Sequence, residues 1–331
     1  MLLRKLSVMV LGLALSAGGC VSCVTQPGVT PKASPPAIAA AGSNTPPASV
    51  DQTVLARHVH ALAVDFFPRS IDAPAKLEAA GDYVLSQMRA AGATPRVQGV
   101  EVNGTSYRNI VASFGPSEGA LLVIGAHYDS RSDTPGADDN ASGVAALLEL
   151  ARLLAAAPPP HPVELVAYTL EEPPYFRTNS MGSFWHAREL RRQGRSVRLM
   201  VSLEMIGFFR DEAKSQRYPE GGFAALYPDQ GNFIALVGPF RDFGLMRDVK
   251  GVFMGASDLP VESINAPASV RGIDFSDHLN YWRFGMPAIM VTDTAFMRNP
   301  NYHARGDTPE TLDYVRMSKV VRALHALAMC P

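Results

Sequence analysis

The run 121–126 (LLVIGA) is apolar at every position. A strand with one solvated face alternates apolar and polar side chains. An unbroken run suits a strand covered on both faces, as in a parallel sheet between helix layers. Further strand-like runs lie at 95–102, 107–114, 163–170, 197–203, 233–237 and 287–291. Between them, apolar residues recur at helical spacing over 51–67, 76–91, 142–156, 181–192 and 310–328. Strands alternating with helices predict an α/β fold with a largely parallel central sheet and helices on both faces, built as one domain over 51–331. Residues 209–232 are polar and punctuated by Gly and Pro, which predicts a long loop, a lid or substrate rim.

The first fifty residues read as an address and a tether. Arg4 and Lys5 precede an apolar stretch over 6–15, too short to span a bilayer, and small residues follow at 16–19. That layout predicts a signal peptide over 1–20 and an exported protein, periplasmic or extracellular. The small residues before Cys20 resemble a bacterial lipoprotein processing site, although Ala17 stands where that pattern has Leu. Two outcomes stay open: a lipoprotein anchored to the membrane only through Cys20, or simple cleavage and secretion. Residues 21–50 are rich in Pro, Ala, Ser and Thr and predict a disordered linker. A net charge of -1 argues against nucleic acid as a partner, and three cysteines cannot build a disulfide scaffold. Cys20 and Cys23 form a CxxC that lacks a second ligand pair.

In open α/β sheets, binding sites form where strands end at their carboxyl termini. The run 121–126 ends in His127, Tyr128 and Asp129. The run 163–170 ends in Glu171 and Glu172, and the run 197–203 ends in Glu204. Asp138, Asp139 and Asn140 precede a helix, and His303 lies in a downstream loop. Each feature has a plain structural explanation. The Asp-Asp-Asn triple could cap its helix, the Glu pair could be a solvated strand end, and His127 could be a hydrogen-bonded core residue. Their convergence favours chemistry. Two His, two Glu and one Asp give nitrogen and oxygen donors without thiolate, a set suited to Zn, Mn or Co. Clustered carboxylates without a cation would repel one another.

Five blocks carry a resemblance: GAHYDSRSDTPGADDNASG (125–143), YTLEEPP (168–174), SLEMIG (202–207), SDH (276–278) and YHARGDTPETL (302–312). In this order they resemble the di-zinc aminopeptidases of the M28 metallopeptidase family. The similarity extends over nearly all of the chain beyond the tether. The resemblance implies a three-layer α/β/α sandwich with a mixed eight-stranded sheet. It implies two Zn2+ ions, with Mn or Co as substitutes, and peptide substrates with a free N-terminus. His127 and Glu204 would bind the first ion, Glu172 and His303 the second, and Asp138 would bridge them. Glu204 stands where many relatives have Asp. Glu171 would be the general base and acid. Asp129 would support His127, Asp277 would support the site, and Tyr302 would assist at the oxyanion. Three other readings stay open: a glutaminyl-cyclase-like enzyme with one zinc, a metal-free, receptor-like binding relative, and a carboxypeptidase with the same metal chemistry, for which Arg298 and Arg305 lie near His303 in sequence. Phe208, Phe209, Phe223, Tyr227, Phe275 and Phe296 are candidates for the wall of a substrate pocket.

Overall fold

The computed structural model describes residues 48–219 and 222–331. The expected signal peptide and all but the last residues of the expected linker lie outside the described residues. The eight strands are β1 (Arg96–Val102), β2 (Thr105–Phe114), β3 (Leu121–His127), β4 (Val163–Tyr168), β5 (Val197–Glu204), β6 (Ile234–Gly238), β7 (Val261–Asn265) and β8 (Ala288–Thr292). They form one sheet in the order β1-β2-β4-β3-β5-β8-β6-β7. β3, β4, β5 and β8 run parallel to their neighbours in the centre, while β1, β2 and β6 introduce antiparallel pairs. The sheet is therefore mixed, with a parallel middle.

The helices are α1 (Gln52–His60), α2 (Pro74–Ala90), α3 (Gly143–Ala156), α4 (Gly182–Arg192), α5 (Phe243–Ala256), α6 (His278–Arg283) and α7 (Tyr314–Met329). β3 is buried at every position, as its unbroken apolar run requires. Because successive strand side chains point to opposite faces, the strand feeds two cores. Leu122, Ile124 and Ala126 pack with apolar residues of α1, α2, α3, α5 and α7. Leu121 and Val123 pack on the other face with Ala187 and Leu190 of α4 and Tyr281 of α6. Gly125 is confined by the second core: a Cβ there would lie 2.2 Å from the Tyr168 ring. The Tyr168 hydroxyl meets that of Tyr281 at 2.7 Å, so this ring has no room to withdraw without breaking a buried hydrogen bond.

Most predicted elements stand within a few residues of their expected positions. The C-terminal helix starts at Tyr314 rather than 310, because Pro309–Thr311 form a short 3-10 turn and the Asp313 carboxylate accepts from the Arg316 amide at 2.9 Å. The described residues of 209–232 are largely loop, with one 3-10 turn at Phe223–Ala225. α5, α6 and β7 were unrecognised in the sequence, and β7 extends the sheet beyond β6.

His58 lies inside the α1 layer, 4% exposed, with its Nδ1 2.7 Å from the Tyr83 hydroxyl. Burial pushes its pKa down to about 4. The unfolded chain therefore binds this proton more readily than the folded one between about pH 6.5 and 4. The stability this group contributes is complete above that window and falls as pH drops through it, by on the order of 3 kcal/mol. His58→Gln removes this part of the acid destabilisation. Denaturant unfolding at pH 7 and pH 4 should show a smaller loss for the variant than for the wild type; equal losses would contradict the assignment.

Candidate metal centre

The parallel strands β3, β4 and β5 deliver their carboxyl ends to one edge of the sheet, and the site forms there. His127 closes β3 and is fully buried. Its Nε2 lies 3.4 Å from Asp139 Oδ1, 3.4 Å from Glu204 Oε2 and 3.9 Å from Glu171 Oε2. His303 arrives from the loop after β8. Its Nε2 lies 3.2 Å from Asp139 Oδ2 and 3.3 Å from Glu172 Oε2. Two triads result, His127–Asp139–Glu204 and Asp139–Glu172–His303, each with donor atoms close enough to hold one metal ion. Asp139 belongs to both and turns one oxygen to each histidine.

The expected bridge at Asp138 is thus corrected to its neighbour. The Asp138 carboxylate accepts from the Gly207 amide at 2.9 Å and from Asn299 Nδ2 at 2.8 Å, and it belongs to neither triad. The backbone turn decides which aspartate faces the histidines. Gly136 enters it with φ 61°, ψ 45°, and a Cβ there would meet the Asp139 carbonyl at 2.2 Å. Asp139 and Asn140 leave helical geometry, and the peptide between them is cis. Asp307 fastens the turn from a distant loop. Its two carboxylate oxygens accept from the amides of Asp138 at 2.9 Å and Asp139 at 3.1 Å. Asn140 performs the capping expected of the triple, accepting from the Gly143 amide at 3.2 Å and donating to the Leu203 carbonyl at 2.7 Å.

Glu171 and Glu172 diverge as expected at the end of a strand. Asp129 anchors both: its carboxylate oxygens accept from the Glu171 amide at 3.2 Å and the Glu172 amide at 3.0 Å. The His127 Nδ1 is 3.1 Å from the main-chain carbonyl of Asp129 and 3.6 Å from its carboxylate. The carbonyl therefore orients the imidazole, a common arrangement behind a metal-binding histidine. Asp277 is fully buried, and burial raises its pKa to about 7. Its neighbour Ser276 donates to Glu204 Oε2 at 2.7 Å, fixing that side chain. His278 is structural: its Nε2 lies 2.8 Å from the Ile273 carbonyl and its ring meets Trp282 edge-on. Tyr302 stacks on His303, ring centroids 3.8 Å apart. The sequence did not single out Asp307 or Ser276; both lie inside the quoted blocks, but only the packing shows what they hold.

The electrostatics fit bound cations. Burial raises the pKa of Glu172 to about 7, that of Glu171 well above the ordinary carboxylate range, and that of Glu204 upward. Burial also opposes charge on the histidines, but their carboxylate neighbours prevail: His303 is raised to about 10 and His127 well above its usual value. Among the described residues, buried His127 Nε2 and Glu172 Oε1 have no hydrogen-bond partner. Orphaned donor atoms pointing into an acidic cluster are what a metal site presents when only the protein is considered.

Beside Glu204 opens a largely apolar cavity lined by Phe223, Tyr227, Phe275, Phe296 and Met290. Phe208 and Phe209, expected among the wall candidates, belong to the core instead.

Asp139→Asn should strip most metal from the protein, whereas Asp138→Asn should retain it. Elemental analysis of both purified variants checks this, and the opposite pattern would restore Asp138 as the bridge.

A model of peptidase family M28 matches residues 109–235. The uncharacterized protein YfbL of Escherichia coli is 49% identical over 275 residues, covering 81% of this chain and 84% of YfbL. A probable leucine aminopeptidase of Arthroderma otae is 27% identical, covering 82% of this chain and 69% of that protein. Among solved structures, LapB from Legionella pneumophila superposes with a TM-score of 0.67 at 22% identity, covering 84% of this chain and 71% of LapB. A glutaminyl cyclase from Bacteroides thetaiotaomicron superposes at 0.63 with 20% identity, covering 85% and 98%. The chain belongs to peptidase family M28.

Proposed function

We propose that this zinc-dependent peptidase is a di-zinc aminopeptidase that removes N-terminal residues, preferably apolar ones, from peptides outside the cytoplasm. The observation that carries this reading is Asp139, with one oxygen in each of two histidine–carboxylate triads. His127, Glu204 and one Asp139 oxygen would hold one ion, and His303, Glu172 and the other oxygen the second. Bound there, zinc would supply Lewis acidity to a peptide carbonyl and to water.

The remaining chemistry belongs to the chain. Glu171 belongs to neither triad, yet its Oε2 is 3.9 Å from His127 Nε2, so it borders the reacting centre. Burial gives it a high proton affinity. It takes a proton from the attacking water and passes it to the leaving amine. The cavity beside Glu204 would receive the side chain of the N-terminal residue. Tyr302, stacked on His303, would donate its hydroxyl to the developing oxyanion. The signal-like residues 1–20 support export, and Cys20 supports a lipid tether.

The complete second triad favours this reading over a one-zinc cyclase, and the full donor set favours it over a metal-free binding protein. Leucine peptides with free and acetylated N-termini, and a peptide beginning with Gln, separate the readings. Cleavage confined to the free amine, lost on chelation and regained with zinc, is expected. Pyroglutamate formation without peptide cleavage would overturn it. Glu171→Gln should keep its zinc and lower kcat by about 10²- to 10⁴-fold; near-normal turnover would remove Glu171 from the role of base.

A further inference from the structure

Arg131 lies in the loop between β3 and the Asp-Asp-Asn turn. Its Nη1 is 3.0 Å from His303 Nδ1, on the side of the imidazole away from Asp139 and Glu172. Among the described residues no carboxylate pairs with this guanidinium. The nearby acids are engaged elsewhere: Asp133 pairs with Arg305 at 3.4 Å, and Asp72 accepts from Ser132. The loop itself is held firmly. The buried Arg69 guanidinium donates to the carbonyls of Tyr128, Pro135 and Gly136, spanning both ends of the loop, and the Arg131 carbonyl accepts from the Thr134 amide at 3.1 Å.

Arg131 is exposed and its charge has no anionic partner among the described residues, so it is open to an anion brought by the substrate. Contact with His303 does not supply one. A histidine bound to metal through Nε2 carries its remaining proton on Nδ1, which then offers Arg131 a donor rather than an acceptor. The other arginines near His303 in sequence already have partners, although among the described residues the buried Arg298 Nη2 has none. Arg298 is buried in hydrogen bonds to Gln216 and to the carbonyls of Phe208 and Phe233, and Arg305 pairs with Asp133.

Direction narrows the ligand. The apolar cavity adjoins Glu204 of the first triad, whereas Arg131 adjoins His303 of the second. A substrate whose N-terminal side chain fills the cavity sends its next residue toward Arg131. One extended residue spans only about 3.3–3.6 Å. A guanidinium abutting the ring of a triad histidine would thus meet the residue directly after the scissile bond.

We propose that Arg131 is a specificity-determining residue that binds the C-terminal carboxylate of dipeptides, so that the enzyme favours dipeptides with an apolar first residue. This deepens the aminopeptidase reading and rests on it. A guanidinium–carboxylate pair contributes about 10- to 100-fold in affinity.

The test compares Leu-Ala with Leu-Ala-amide. Wild type should show a kcat/KM ratio favouring the acid by about 10- to 100-fold. Arg131→Gln should collapse that ratio through KM, and Arg131→Lys should restore part of it. Calorimetry in the Glu171→Gln background, with zinc content verified, should show the same preference in Kd and its loss when Arg131→Gln is added. Arg131→Gln slowing both substrates equally would reduce Arg131 to support for His303 and overturn the proposal. Wild type cleaving acid and amide alike would sink the proposal and leave the aminopeptidase reading standing; cleaving neither would sink both.

Discussion

Asp139, Glu171, Glu172 and Glu204 are each no more than 7% exposed and crowd around two imidazoles. Carboxylates removed from water at this density repel one another and lose hydration, so the protein side alone leaves excess negative charge in a poorly solvated place. Everything near the site is organised to hold that charge in position. Asp129 and Asp307 each use both carboxylate oxygens on two consecutive backbone amides, so neither ligand-bearing turn depends on side-chain contacts alone. These bonds also draw further acids into the region. Burial raises Asp307 to about 8 and Asp293 to about 6. Positive charge delivered to its centre would relieve that repulsion, and the two triads are where the protein offers ligands for it.

The fold makes the arrangement affordable by using parallel strands. β3, β4 and β5 end at one edge, and the residue that ends each strand or follows it becomes part of the site without any long excursion of chain. Helices on both faces seal the sheet, so the imidazole of His127 has no exposure. The apolar cavity forms where β6, β8 and the loops around them leave a gap on the face opposite α5 and α7. In the proposed reading, metal chemistry and side-chain selection come from adjacent parts of one sheet edge.

Much of this was legible in the sequence, for physical reasons that can be named. A strand buried on both faces has a continuous apolar signature, and a polar residue at its end stands out against that background; His127, Glu171, Glu172 and Glu204 were found in this way. The choice between Asp138 and Asp139 was not legible. Two identical neighbours differ only in direction, and direction is set by Gly136 and by Asp307, far along the chain. The carbonyl of Asp129 behind His127 was hidden for a related reason, since main-chain partners leave no mark on residue identity. α5 contains three glycines, which weaken a helical pattern, and β7 is an edge strand with one buried residue. Both depend on packing rather than on local preference.

Zinc-edge anomalous diffraction from crystals of the zinc-loaded protein tests the central claim most directly. Two peaks are predicted, one on each side of the Asp139 carboxylate, bordered by His127 with Glu204 and by His303 with Glu172. A single peak, or one seated on Asp138, would contradict the account.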